Sequence, residues 1–299
     1  MNTFELCCIG HITLDKVVTP QSTVHMPGGT SFYVSNAIRH LQGMDYLLVT
    51  AVGAPEMAVV DGLRANGVRV VAYPSAHSVC FENIYGEDLN NRTQRVWAKA
   101  DPFTVEQLKD TDAKIFHLGA LLADDFPPET VKYLAGKALV SVDSQGYLRE
   151  VRDTQVCAID WKGKEEVLKY VHFLKANEHE MAVLTGYTDV PSAAGRLAGW
   201  GVRETLITLG DKGSILYDGN FFYRIPAYEP HEIVDATGCG DTYMAGYLYQ
   251  RAKGVGMEEA GRFAAALSTL KIERSGPVQA TCEEVIRCMQ TRKQQLPEW

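Results

Sequence analysis

Basic residues are in the minority in this chain: 29 lysines and arginines stand against 37 aspartates and glutamates, a net charge of −8. Nucleic acids and anionic membranes recruit proteins through basic faces, so neither is expected as a partner. No apolar run approaches the roughly 20 residues of a membrane span, and the first residues show no basic region followed by an apolar leader. A cytoplasmic protein is the expectation. The seven cysteines are scattered, odd in number and without a CxxC pair, which suits reduced thiols and gives a zinc site little support. No G-x-G-x-x-G follows the first apolar run at residues 4–13, which counts against a nicotinamide-binding domain. Internal repeats, low-complexity tracts and proline-rich linkers are also missing, and residues 1–299 could make two average domains or one large α/β domain.

What is present is a regular alternation. Strand-like apolar runs at 4–13, 46–53, 68–74, 114–120, 138–144, 172–178 and 204–210 are separated by helical patterns such as 54–67 and 127–137. Strands alternating with helices predict an α/β fold with a mostly parallel sheet covered on both faces. Residues 14–28 and 75–101 break the rhythm with short alternating strands and polar turns, and are read as a small β extension. From Glu258 onward two helices are expected, over 258–275 and 281–295.

The most informative stretch runs from Val234 to Thr242, with the sequence VDATGCGDT, ahead of an apolar helical run. Gly238 and Gly240 flank Cys239 just before the helix begins, so their backbone N–H groups can crowd together and face an anion. Asp241 follows at once. A carboxylate is a poor ligand for a phosphate but a reasonable base for a hydroxyl that attacks one. The alternative for Asp241 is a helix cap, since aspartate favours helix N-termini.

This segment resembles the C-terminal signature of the ribokinase-like sugar kinases, the PfkB family, and the resemblance runs over nearly the whole chain. It implies that residues 1–299 form a single ribokinase-like three-layer αβα domain with a β-sheet lid formed by about 14–28 and 75–101, often also a homodimer interface. Asp241 is implied as the catalytic base, with the Gly238, Cys239 and Gly240 amides as the anion hole. Asn177 and Glu180 match the family's Asn-x-x-Glu motif, whose glutamate organises Mg2+ through water; a helix capping box is the structural alternative. Thr208, Gly210 and Gly213 match a segment along ATP, although Gly-Asp-x-Gly is also ordinary turn chemistry. A monovalent cation such as K+ is implied between carbonyls beside Asp235 and near Ser275-Gly276.

On the acceptor side, Asp15 matches the family aspartate that hydrogen-bonds sugar hydroxyls, and Gly28 and Gly29 match its paired glycines. The chain departs from the pattern at Tyr33, where an asparagine is usual. Gln145-Gly146 and Arg149, with the Gly-Gly-x-Ser-Phe run, are more similar to the inositol kinases of the superfamily, although Asp143 and Arg149 could also be a strand-end ion pair. The function expected is ATP-dependent phosphorylation of a hydroxyl on a small carbohydrate or polyol, with Tyr33 offering a ring face to a cyclic acceptor. A nucleoside acceptor, with Phe32, Tyr33 and Phe81 as the wall for its base, and a non-catalytic sugar sensor are the alternatives. His11, His117 and His172 lie in apolar strands and are read as packed.

Overall fold

The structure, a computed structural model, describes residues 3–18, 20, 22–85 and 92–298. In chain order its first strands are β1 (Phe4–Gly10), β2 (Thr13–Val18), β3 (Thr23–Gly28), β4 (Tyr46–Val52), β5 (Arg69–Pro74), β6 (Cys80–Tyr85) and β7 (Arg92–Ala98). They are followed by β8 (Ala113–Gly119), β9 (Leu139–Asp143), β10 (Arg149–Arg152), β11 (Gln155–Ala158), β12 (Phe173–Asn177) and β13 (Glu204–Thr208). The last are β14 (Ser214–Tyr217), β15 (Phe222–Ile225), β16 (Ala227–Tyr228) and β17 (Gln294–Gln295).

Nine strands form the main sheet, in the order β15-β14-β13-β12-β9-β8-β1-β4-β5. The pairs from β13 to β5 are parallel, and β14 and β15 add an antiparallel edge. The central strands are apolar without alternation because both of their faces are covered. In β1, Leu6 and Cys8 point into one core with the helices Thr30–Leu41, Cys239–Ala252 and Met257–Ile272. Cys7 and Ile9 point into the other core, with the helices Pro128–Ala135, Glu178–Thr185 and Val190–Gly199. This is the expected three-layer arrangement.

The second sheet has six strands, in the order β10-β11-β7-β6-β2-β3. Residues 149–158 therefore join the lid, which the sequence reading confined to 14–28 and 75–101. Within those two segments, 19, 21 and 86–91 lie outside the described residues. One lid face carries Lys16, Glu82 and Trp97, joined by Lys16 Nζ–Glu82 Oε1 at 2.8 Å and Trp97 Nε1–Glu82 Oε2 at 3.1 Å. The other presents Phe81 and Val96 to Leu121 and Leu122 beyond the end of β8, so it is the inner face. By strand alternation Asp15, Asn83 and Gln94 share that inner face. A second difference is at the tail: the helix Cys282–Thr291 stops short, and Gln294–Gln295 pairs with β16 as a strand.

Candidate active site

The carboxyl ends of β9, β12 and β13 carry Asp143, Asn177 and Thr208, and the chain beyond β1 leads to Asp15. Ligands of open α/β sheets bind in the crevice beyond such ends. Two helix N-termini also converge there. Helix Thr30–Leu41 is capped by Gly29 and helix Cys239–Ala252 by Gly238, neither with a capping side chain. Their first-turn N–H groups carry the positive end of the helix dipole, and of these Phe32 N donates to the carbonyl of its capping Gly29 at 3.0 Å.

Gly238 has φ +78°, and a β-carbon there would lie 2.3 Å from Tyr33 Cδ1. No other residue fits this position without moving the Tyr33 ring. Tyr33 itself is 3% exposed, so its ring packs on the loop and offers no open face to a cyclic acceptor, which corrects the stacking role expected for it. Burial first, then the charges of Asp235, Asp241 and Asp15, hold the Tyr33 hydroxyl in its neutral form by raising its pKa. The Cys239 amide is also corrected. It donates to the Ala236 carbonyl at 3.2 Å, which leaves Gly240 and Asp241 as the first-turn donors of the loop. Burial pushes the Cys239 thiol up to about 11, so it is unreactive at neutral pH.

Asp241 accepts a hydrogen bond from the Thr30 side chain. Burial and the neighbouring Asp143 raise its pKa to about 6, while Thr30, Lys175 and Arg149 pull the other way. A carboxyl with that value is ionised at neutral pH and still basic enough to take a proton in a transition state. Beside it, Lys175 Nζ lies 2.5 Å from Asp143 Oδ2, both side chains being nearly inaccessible. Burial disfavours both charges, but their mutual attraction wins: Asp143 is held below the usual carboxylate range and Lys175 above the usual lysine value. A β-carbon at Gly240 would lie 3.2 Å from Lys175 Nζ, so this ammonium rests against the anion loop. Asp143 thus pairs with Lys175 across the neighbouring strands β9 and β12.

Of the acceptor residues predicted from sequence, Asp15, Gly28 and Gly29 lie together. A β-carbon at Gly28 would lie 2.6 Å from Asp15 Oδ2, so the glycine makes room for the carboxylate. Gly29, with φ +86°, turns the chain from β3 into the helix at Thr30. Arg149 is half-buried at the start of β10, within electrostatic reach of Asp241. Gln145 is exposed, and its neighbour Gly146 has a packing reason of its own, because a β-carbon there would meet the Ala120 carbonyl at 2.2 Å.

Asn177 and Glu180 do form the capping box. Asn177 Oδ1 accepts from Glu180 N at 2.8 Å, and Glu180 Oε2 accepts from Asn177 N at 2.9 Å. Glu180 also accepts from Asn177 Nδ2 at 2.9 Å and from Ser144 Oγ at 3.2 Å. A carboxylate offers about four acceptor positions, so one is left. Among the described residues no three His, Cys, Asp or Glu side chains gather to hold a metal. A magnesium ion that keeps most of its waters would have this one position of Glu180 to meet through water. Thr208 pairs in register with Asn177 on the neighbouring strand. Gly210 has open space around it, whereas a β-carbon at Gly213 would meet the Ile225 carbonyl at 2.3 Å.

Thr30, Asn83 and Gln94 carry no local pattern that marks them, and Asp143 stands in the sequence only as a possible partner of Arg149. For Lys175 the one signal available was a lysine in the otherwise apolar strand before Asn177. The buried histidines are packed as expected, His11 against Phe103 and His117 on Ser141 Oγ.

A buried carboxylate beside two converging helix N-termini and a buried cation suits chemistry on a phosphoryl group. The pfkB family carbohydrate kinase profile matches residues 2–283. The chain belongs to that family. It is a phosphotransferase whose acceptor is a hydroxyl group on a small carbohydrate, polyol or nucleoside. It is 32% identical to a cytidine kinase of Thermococcus kodakarensis over 86% of this chain and 92% of that one. It is 26% identical to a ribokinase of Bacillus subtilis over 90% and 92% of the two chains. A pyrophosphate-dependent kinase of the ribokinase family, solved with a pyrophosphate analogue and myo-inositol, superposes with a TM-score of 0.84. That protein is 28% identical, over 94% of this chain and 99% of its own. Among the described residues no helix is long and apolar enough to cross a membrane.

Proposed function

We propose that this kinase transfers the terminal phosphoryl group of ATP to a hydroxyl of a ring polyol or sugar. The observation that carries the assignment of the base is Asp241, with a pKa near 6, against the Gly238–Asp241 loop and Lys175. Asp241 takes the hydroxyl proton as the acceptor oxygen bonds to phosphorus, and the bridging oxygen leaves with the nucleoside diphosphate. The Gly240 and Asp241 amides and Lys175 face the charge on the transferred group. Mg2+, when bound, neutralises the phosphates, with Glu180 ordering its waters. Asn177, Thr208, Gly210 and Gly213 lie along the donor.

Asp15 and the Gly28-Gly29 turn hold the acceptor. The inner face of the lid adds Asn83, which is buried and accepts a 2.9 Å hydrogen bond from Gln94 Nε2. Carboxylate and carboxamide groups suit hydroxyl-bearing rings. The nucleoside reading rests on the likeness to the cytidine kinase. Two of its three candidate base-wall residues, Tyr33 and Phe81, are 3% and 4% exposed and already packed, which supports the polyol reading instead. The donor is tested alongside the acceptor, since one relative is pyrophosphate-dependent. The deciding experiment measures phosphoryl transfer from ATP and from pyrophosphate to myo-inositol, ribose, fructose, 2-keto-3-deoxygluconate, cytidine and adenosine. A kcat/KM higher for cytidine than for every ring polyol and sugar refutes the acceptor assignment.

Two variants probe the acceptor side. Asp15→Ala removes a charged hydrogen-bond acceptor, so kcat/KM for the true acceptor falls about 10- to 100-fold, while background hydrolysis of the donor persists. Asn83→Leu with Gln94→Leu removes neutral hydrogen bonds and raises acceptor KM about three- to tenfold. An unchanged acceptor KM and changed donor KM in either variant places these residues elsewhere.

A further inference from the structure

Lys271 lies in the last turn of the helix Met257–Ile272 and is wholly inaccessible to solvent. Its ammonium has three N–H donors, and three oxygens receive them: the Asp235 carbonyl at 2.8 Å, Asp235 Oδ2 at 3.1 Å and the Arg274 carbonyl at 3.1 Å. Asp235 opens the segment that becomes the anion loop. Its other oxygen accepts from the Thr237 amide at 2.9 Å, and Oδ2 also faces the Gly276 amide at 3.4 Å. Burial disfavours the Asp235 charge, but the Thr237 hydrogen bonds and Lys271 outweigh it and hold the carboxyl below the usual range. The same helix ties the loop a second time, through Ser268 Oγ to the Cys239 carbonyl at 3.1 Å.

A buried lysine is costly unless it is paired and hydrogen-bonded. Here it is fully satisfied, by two main-chain carbonyls and one carboxylate. Such an oxygen cage is what a monovalent cation takes, and it stands beside Asp235 and Gly276, where the family resemblance implies one. The residues do not fit a K+ ion, because the Lys271 ammonium already fills the cage. We infer that Lys271 is a tethered replacement for a monovalent cation, a positioning residue that fixes the anion loop and makes turnover independent of K+. A tethered charge is bound at every potassium concentration. Its field also reaches the loop, since it opposes the upward shift that burial gives the Cys239 thiol.

This inference deepens the proposed phosphoryl-transfer reading, and one arm of its test does not depend on that reading. Crystals of the wild-type protein soaked in a thallium(I) salt should show no anomalous peak beside Asp235, and those of Lys271→Ala should show one. A thallium peak at Asp235 in the wild type overturns the inference, whatever the enzyme's substrate. In the second arm, phosphoryl transfer by the wild type is measured in choline chloride and then in saturating KCl. An unchanged rate supports the inference, and a rate that rises with KCl to a plateau overturns it. Lys271→Ala should lose about tenfold or more in choline chloride and recover part of that with added KCl or ammonium chloride, a rescue that a purely structural lysine would not give. A folded Lys271→Ala that matches the wild-type rate in choline chloride overturns it as well.

Discussion

Asp241→Asn is expected to lower kcat by about 10²- to 10⁴-fold, the usual effect of removing a general base, while both substrates still bind. The amide keeps the shape of the side chain and the Thr30 contact but cannot accept the proton. The parent enzyme should show a matching acid limb. Because burial and Asp143 place the Asp241 pKa near 6, kcat/KM falls below that pH as the base is protonated, and Asp241→Asn shows no such limb. Near-parental kcat in a folded Asp241→Asn protein would remove Asp241 from the mechanism.

The same shift makes a stability prediction with a definite sign. The folded-state pKa of about 6 lies above the ordinary value of 3.8, so the native state favours the protonated form. That stabilisation is complete below the ordinary value and is lost as pH rises through about 6. Above that pH the parent carries a buried, disfavoured charge which asparagine lacks. Asp241→Asn should therefore melt higher than the parent in mildly alkaline buffer, with the gap closing as pH falls below the folded-state pKa. A gap that widens on acidification contradicts the raised pKa.

The features legible in the sequence are those set by local chemistry. Seven main-sheet strands could be read because buried parallel strands are continuous apolar runs, and the anion loop because its glycines, aspartate and helix stand next to one another. The lid strands β10 and β11 were missed because each is only four residues long, REVR and QVCA, too short to show a period, and only pairing with β7 makes them part of the sheet. Lys175 and Asp143 are 32 positions apart, and they meet because β9 and β12 are neighbours in register. Strand order is not written in any local pattern. Lys271 was hidden for a different reason: a lysine near a helix C-terminus ordinarily faces water and favours the dipole, and only the loop folded over it makes it internal.

The strand order that joins Asp143 to Lys175 also gives the second large effect. Lys175→Met should reduce kcat by about 10²- to 10³-fold, the typical cost of losing one preorganised group aimed at developing charge. Part of any loss could come from folding, since Asp143 would be left buried without its partner, a change that costs about 3–5 kcal/mol. The double variant Lys175→Met with Asp143→Asn separates the two effects. Removing both charges should restore most of the melting temperature but not the rate, because no cation then stands against Gly240. The pH profiles add a test that misfolding cannot imitate. Lys175 lowers the Asp241 pKa and Asp143 raises it, so the acid limb should move up in Lys175→Met and down in Asp143→Asn. Limbs that stay fixed in both single variants would mean that this buried pair only braces the sheet, and that the charge on the transferred phosphoryl group is met by the backbone amides alone.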